Sequence, residues 1–106
     1  EMPPFSHLAL IRCESQDIKL ATSTINQIAR LLRSMSQTLN GEVQMQGPLP
    51  APMEKRAGRY RMHLLLLTQS RPSLSKLLNQ ACPQIQGLKM SRKVRWSVDV
   101  DPADLI

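Results

Sequence analysis

From Ile18 to Leu39 the apolar residues Ile18, Ala21, Ile25, Ile28, Leu32, Met35 and Leu39 recur at strictly alternating intervals of three and four. An average interval near 3.6 puts these side chains on one side of an α-helix, so the stretch predicts an amphipathic helix of about twenty residues. Ser15-Gln16-Asp17 offers a helix start, Asn40-Gly41 offers a left-handed stop, and Lys19, Asn26, Arg30 and Arg33 fall off the stripe. A helix with one apolar side is marginal alone and must bury that side against a second layer. With 106 residues, the chain supports one domain, 1–106, around a single core. Phe5, Tyr60 and Trp96 are its only aromatic residues, so that core has to be aliphatic.

The second layer is legible as strands. Ser6 to Arg12 is short, mostly apolar and preceded by Pro3-Pro4, and reads as a buried strand. Glu42 to Gln46 alternates, with Val43 and Met45 on one side. Gly47-Pro48-Leu49-Pro50-Ala51-Pro52 lacks the N–H groups needed inside a sheet and is expected to be a stiff, extended connector. A turn at Gly58 leads into a third strand, Tyr60 to Thr68. Tyr60, Met62, Leu64 and Leu66 lie on one face of it and Arg61, His63, Leu65 and Leu67 on the other, a pattern that suits a central strand. Ser70-Arg71-Pro72-Ser73 opens a second helix with the stripe Leu74, Leu77, Leu78, Ala81, Ile85 and Leu88, and Pro83 predicts a kink or break near Ala81–Cys82. Lys93 to Val100 is the last strand, with Val94, Trp96, Val98 and Val100 facing one way, and Pro102 ends it. The order β-α-β-β-α-β predicts an α+β fold of the split β-α-β type: a four-stranded antiparallel sheet with two helices on one face, its opposite face or loop edges left free to bind.

The formal charge of +6 is concentrated. Segments 54–61 and 89–95 carry +3 and +4, and the remaining 91 residues sum to −1. The bases are Lys55, Arg56, Arg59 and Arg61 in the first stretch and Lys89, Arg92, Lys93 and Arg95 in the second. Such clustering fits a polyanion, nucleic acid above all, and equally fits a solvated basic loop. Charged side chains are not buried unpaired, so these arginines should face solvent, a partner or the acidic tail of Asp99, Asp101 and Asp104. Tyr60 among the arginines could stack on a base, yet it is in phase with Met62 and Leu64, as Trp96 is with Val94 and Val98, so core packing competes for both rings.

Catalytic patterns are missing. Glu14/Asp17 and the tail aspartates suit helix capping and solvation better than acid–base chemistry. His7 and His63 would need neighbouring strands and a third partner to do more than pack. Neither a GxxxxGK[ST] nor a GxGxxG loop occurs, which excludes nucleotide binding through those motifs. Cys13 and Cys82 stand 69 positions apart without CxxC spacing, so they read as reduced, small buried hydrophobes, and no zinc site follows from them. Apolar runs reach four residues, as in Leu64 to Leu67, and no leader pattern opens the chain, which starts on Glu1 before a proline pair. The expectation is a soluble, intracellular piece of a longer protein.

Three blocks carry a family resemblance. Met2-Pro3-Pro4-Phe5-Ser6-His7 followed by Leu-Ala-Leu-Ile-Arg resembles the opening of the C-terminal domain of the PriA (primosomal protein N′) family of replication-restart helicases. Gly47-Pro48-Leu49-Pro50-Ala51-Pro52 running into Lys55-Arg56 and Gly58-Arg59-Tyr60-Arg61 resembles its most distinctive stretch. Ser91-Arg92-Lys93-Val94-Arg95-Trp96 with Asp99-Val100-Asp101-Pro102 resembles its closing segment, and the blocks occur in family order over essentially the whole chain.

The resemblance implies a non-catalytic domain of a bacterial, cytoplasmic, ATP-driven 3′-to-5′ DNA helicase that reloads the replicative helicase at abandoned forks. ATP, Mg2+ and zinc would belong to its upstream domains and not to this fragment. Implied partners are forked and single-stranded DNA, the upstream helicase domains, other primosome proteins, and the acidic C-terminal tail of single-stranded DNA-binding protein. Lys55, Arg56, Arg59, Tyr60, Arg61, Lys89, Arg92, Lys93 and Arg95 are the expected DNA-binding residues. Arg71 matches the family's tail-contacting arginine, and Ser75 stands one turn later where some relatives carry glutamine. Two other readings are a domain that docks on the helicase lobes without touching DNA, and a free-standing RNA-binding module.

Overall fold

The computed structural model describes residues 7–36, 42–56 and 58–101. Its elements are β1 (His7–Ser15), α1 (Ile18–Ser36), β2 (Val43–Arg56), β3 (Arg59–Thr68), α2 (Arg71–Gly87), a short 3-10 turn (Met90–Lys93) and β4 (Arg95–Val100). The strands form one antiparallel sheet in the order β2-β3-β1-β4, the expected split β-α-β architecture.

Both helices cover one face. Ala21, Ile25, Ile28 and Leu32 of α1 pack with Leu74, Leu77, Leu78, Ala81 and Ile85 of α2 onto Ala9, Ile11 and Cys13 of β1 and Met62, Leu64 and Leu66 of β3. Each Leu or Ile sealed here contributes about 1.5–3 kcal/mol of transfer free energy, which is why the 3.6-residue stripe decides where α1 lies. Trp96 and Val98 pack against the same cluster, so the core reading of Trp96 is the right one. Asp17 starts α1: its Oδ1 accepts from Lys19 N–H at 2.9 Å and its carbonyl from Ala21 N–H at 3.1 Å. The expected stop at Asn40-Gly41, with Leu39, lies outside the described residues.

Four expectations need correction. The proline-rich stretch is no connector: β2 runs unbroken from Val43 to Arg56 along the sheet edge. An edge strand needs only half its N–H groups in the ladder, so prolines are tolerated there, and the pairing slips between Gln46 and Leu49 and again between Pro50 and Lys55. Gly47 makes the first slip possible with φ +105°, and its peptide bond to Pro48 is cis. Next, α2 passes through Pro83 without a break. Asn79, whose carbonyl loses its partner N–H, is exposed and can turn to water. Third, Lys93 and Val94 precede the last strand, because Ser91 Oγ donates to Leu88 O at 2.8 Å and closes a buried turn there.

The fourth concerns the sheet face away from the helices, which is closed at its centre by its own side chains and open only toward its edge strands. Leu10, Arg61 and His63 point that way and are 1%, 3% and 7% exposed. They sit on the two central strands, in register with Leu65 and Asp99, with Glu14, and with Arg12 respectively, and these long neighbours close over them. Among the described residues no helix is long and apolar enough to cross a membrane.

Candidate nucleic-acid interface and peptide groove

Strand register decides where the two basic stretches meet. Ser15, the last residue of β1, pairs with Tyr60, and Glu14 pairs with Arg61 on one side and Arg95 on the other. Arg59 is one residue beyond Tyr60 and pairs with Arg56 across the hairpin, while Lys55 pairs with Tyr60. The start of β3, the hairpin and the start of β4 therefore share one end of the sheet. With strands about 4.8 Å apart and only β1 between them, β3 and β4 run about 10 Å from each other there. Lys89, Arg92, Lys93 and Arg95 are exposed at this end and Arg59 is half-buried. Tyr60 is half-buried on the helix side of the sheet.

Arg61 departs from the rest. Its side chain is 3% exposed with Nε 3.8 Å from Glu14 Oε2, so it faces a carboxylate of its own sheet and not solvent. Beside it, Arg12 Nε donates to His63 Nε2 at 3.4 Å, and Arg12 Nη1 is 3.6 Å from Asp99 Oδ2. Burial, reinforced by the Arg12 and Arg61 charges, lowers the His63 pKa to about 4, so the ring is neutral and can accept that hydrogen bond. The neighbouring strands expected of His7 and His63 are present, but His7 pairs with Thr68 and His63 with Arg12, which puts the two histidines five positions apart along the ladder, about 17 Å. Both cysteines are free; burial pushes the Cys13 thiol up to about 12 and raises that of Cys82. Neither is a nucleophile at neutral pH.

The opposite end of the sheet carries a different constellation. Ser70 caps α2, its Oγ accepting from Ser73 N–H at 3.2 Å, which fixes Arg71 as the first helical residue. Arg71 is exposed, and its Nη1 donates to Asp101 Oδ2 at 2.8 Å. One turn along, Ser75 begins a groove of about 480 Å³ between α2 and the free edge of β4. Leu78, Asn79, Cys82 and Pro83 form one wall and Val98 and Val100 the other. Its apolar floor beside a guanidinium suits an extended peptide with an apolar residue next to a carboxylate. Asp101 and the groove were missed in sequence. The alternation Val98-Asp99-Val100-Asp101 before Pro102 marks a strand end, but nothing in it names Arg71 as a partner.

A family model described as the primosomal protein N C-terminal domain, PriA_C, matches residues 1–103. The chain belongs to the PriA C-terminal domain family. The replication restart protein PriA of Haemophilus influenzae is 41% identical over 104 residues, 98% of this chain. The proteins of the same name from Synechocystis and Buchnera aphidicola are 32% and 25% identical over 97% and 95% of it. The chain spans 14% of the length of the Haemophilus relative and 11% of the Synechocystis one. It is thus similar to the C-terminal domain of a replication restart protein, as the three sequence blocks implied. Among solved structures, the designed protein Foldit4 is similar with a TM-score of 0.64 at 15% identity, covering 92% of this chain and 98% of that one. A hydantoinase/carbamoylase family amidase from Burkholderia ambifaria is similar with a TM-score of 0.52 at 10% identity over 92% of this chain and 28% of its own. At such identities the likeness is one of fold alone.

Proposed function

We propose that this domain binds DNA through the basic end of its sheet and docks an acidic peptide tail at the other end, as a non-catalytic part of a replication-restart helicase. The observation that carries the DNA reading is the register, which gathers positions 55, 56 and 59 with Arg92, Lys93 and Arg95 around the ends of β1, β3 and β4. Basic positions spread over three strand spacings, about 14 Å, suit neighbouring phosphates and carry no base-reading geometry. That is the chemistry of a fork-structure reader with little sequence preference. Arg61, held by Glu14, orders the sheet end and is left out of the phosphate contacts.

Fluorescence anisotropy of labelled forked and single-stranded DNA with the purified chain at 50 and 200 mM salt tests this reading. Each single-strand phosphate contact adds about 0.7 to the slope of log affinity against log salt, so Arg92→Ala with Arg95→Ala should flatten it by about 1.4. Absence of binding at 50 mM, or an unchanged slope, refutes DNA contact here and favours a domain that only docks on the helicase lobes. Equal affinity for RNA of matched length favours the RNA-binding reading.

Peptide docking is carried by a separate observation, the groove between α2 and β4 with Arg71 at its end. The partner with the required chemistry is the acidic C-terminal tail of single-stranded DNA-binding protein. Its terminal carboxylate would meet the Arg71 guanidinium and its last apolar side chain the groove. ATP-driven unwinding, Mg2+, zinc and primosome assembly would be supplied by the rest of the longer protein.

A further inference from the structure

Arg71 is already engaged by a carboxylate of its own chain. Asp101 Oδ2 accepts from Arg71 Nη1 at 2.8 Å, and Oδ1 of the same carboxylate accepts from Leu8 N–H at 2.9 Å. The Asp101 N–H in turn donates to Leu8 O at 2.6 Å, and His7 Nδ1 lies 3.5 Å from Oδ2. Asp101 adopts φ +50°, a left-handed conformation that aspartate and asparagine reach more easily than other side chains. It follows Val100 on one wall of the groove, and Arg71 lies one turn before Ser75 on the other. The carboxylate therefore occupies the end of an apolar groove against a guanidinium, the place and the charge an incoming α-carboxylate would take. Nη1 is thereby engaged by Asp101, and an incoming carboxylate has to share or displace that contact to reach this end of the guanidinium.

We infer that Asp101 is an intramolecular placeholder, whose carboxylate occupies Arg71 until the carboxylate of an acidic peptide displaces it. The inference rests on the reading of Arg71 as the anion partner of a docked tail. It makes docking a competition between two carboxylates and gives Asp101 control of the affinity. The pair is solvent-exposed, so the competition is mild: losing it should tighten peptide binding about two- to fivefold. Leu8 is drawn into the same exchange, because the side chain that leaves Arg71 is the one that holds the Leu8 N–H at the start of β1.

Asp101→Asn removes the charge while keeping a carbonyl oxygen for Leu8 N–H and a residue that tolerates the left-handed conformation. The full-length protein carrying this domain is titrated against a fluorescein-labelled acidic hexapeptide ending in phenylalanine with a free α-carboxylate. Asp101→Asn should lower Kd two- to fivefold, Arg71→Ala should raise it at least tenfold, and Asp101→Asn should change nothing in the Arg71→Ala background. An unchanged or raised Kd in Asp101→Asn, with Arg71→Ala still weakened, overturns the placeholder and leaves peptide docking standing. A gain from Asp101→Asn that persists without Arg71 also overturns it, since that gain would be general charge repulsion. Unaltered binding in Arg71→Ala overturns the docking reading and the placeholder with it. A peptide amidated at its C-terminus should lose the gain from Asp101→Asn, and an equal gain would overturn competition between carboxylates.

Discussion

Replacing Pro83 by alanine should stabilise the domain. Pro83 sits inside α2, four residues before its end at Gly87, where it has no N–H to offer Asn79 O. Its side chain is exposed, as is Asn79, whereas Ala81 and Ile85 on either side are fully buried. The ring therefore adds little to the core that would offset the missing hydrogen bond. Proline in a helix interior costs about 3 kcal/mol relative to alanine. Its stiffening of the unfolded chain returns about 0.4–1 kcal/mol, which leaves a net gain of about 2 kcal/mol for Pro83→Ala. For a domain of this size that corresponds to a rise in Tm of about 8–16 °C. Thermal unfolding followed by far-UV circular dichroism measures it, with exposed Gln80→Ala on the same helix as the control. A Tm that falls, or moves by less than about 2 °C, would mean that the ring packs usefully or that the helix has relaxed around it. Either result refutes the reasoning. Pro83 also lines the groove, so the stabilised variant should bind the acidic peptide less well if the ring is part of its apolar floor.

Gly47→Ala should destabilise by about 1–3 kcal/mol, read as a lower urea midpoint. Its φ is +105°, and an added Cβ would lie 3.0 Å from both His63 O and Leu49 N, backbone atoms that cannot step aside cheaply; a change under about 0.5 kcal/mol would refute this. His63 is held neutral with a pKa near 4 against about 6.5 when unfolded, so between these values the unfolded chain binds more protons. Stability should fall as pH drops from about 6.5 toward 4, by up to about 1.4 kcal/mol per pH unit from this group. The profile of His63→Gln should be flatter over that window, and an identical profile would refute the assignment.

Periodicity made the layers legible because it reports which side chains leave water. The stripes of α1 and α2 and the alternation of β3 assigned Ile25, Ile28, Leu74, Leu77, Leu64 and Leu66 to the core, and all are fully or almost fully buried. The same rule underestimated Arg61 and His63. Alternation separates two faces of a strand, but it does not say whether cross-strand neighbours will close over the second face. The missing donors of the prolines in 48–52 argue soundly against a place in a central strand. The edge position that makes them harmless depends on the order of strands, a property of the whole sheet.

Sites followed the same division. Charge clustering located Lys55, Arg56 and Arg59 and, separately, Arg92, Lys93 and Arg95 along the chain, and family motifs pointed to Arg71. Their relation to one another required the pairing of Glu14 with both Arg61 and Arg95, and of Ser15 with Tyr60. Asp101 lies 30 residues from Arg71 and 93 from Leu8, yet it contacts both. Local chemistry such as helix stripes, caps, turns and net charge is written in neighbouring residues and could be read from them. The shared basic end, the occupied Arg71 and the groove between α2 and β4 are long-range coincidences. They arise only when burial of one apolar face sets the strand register.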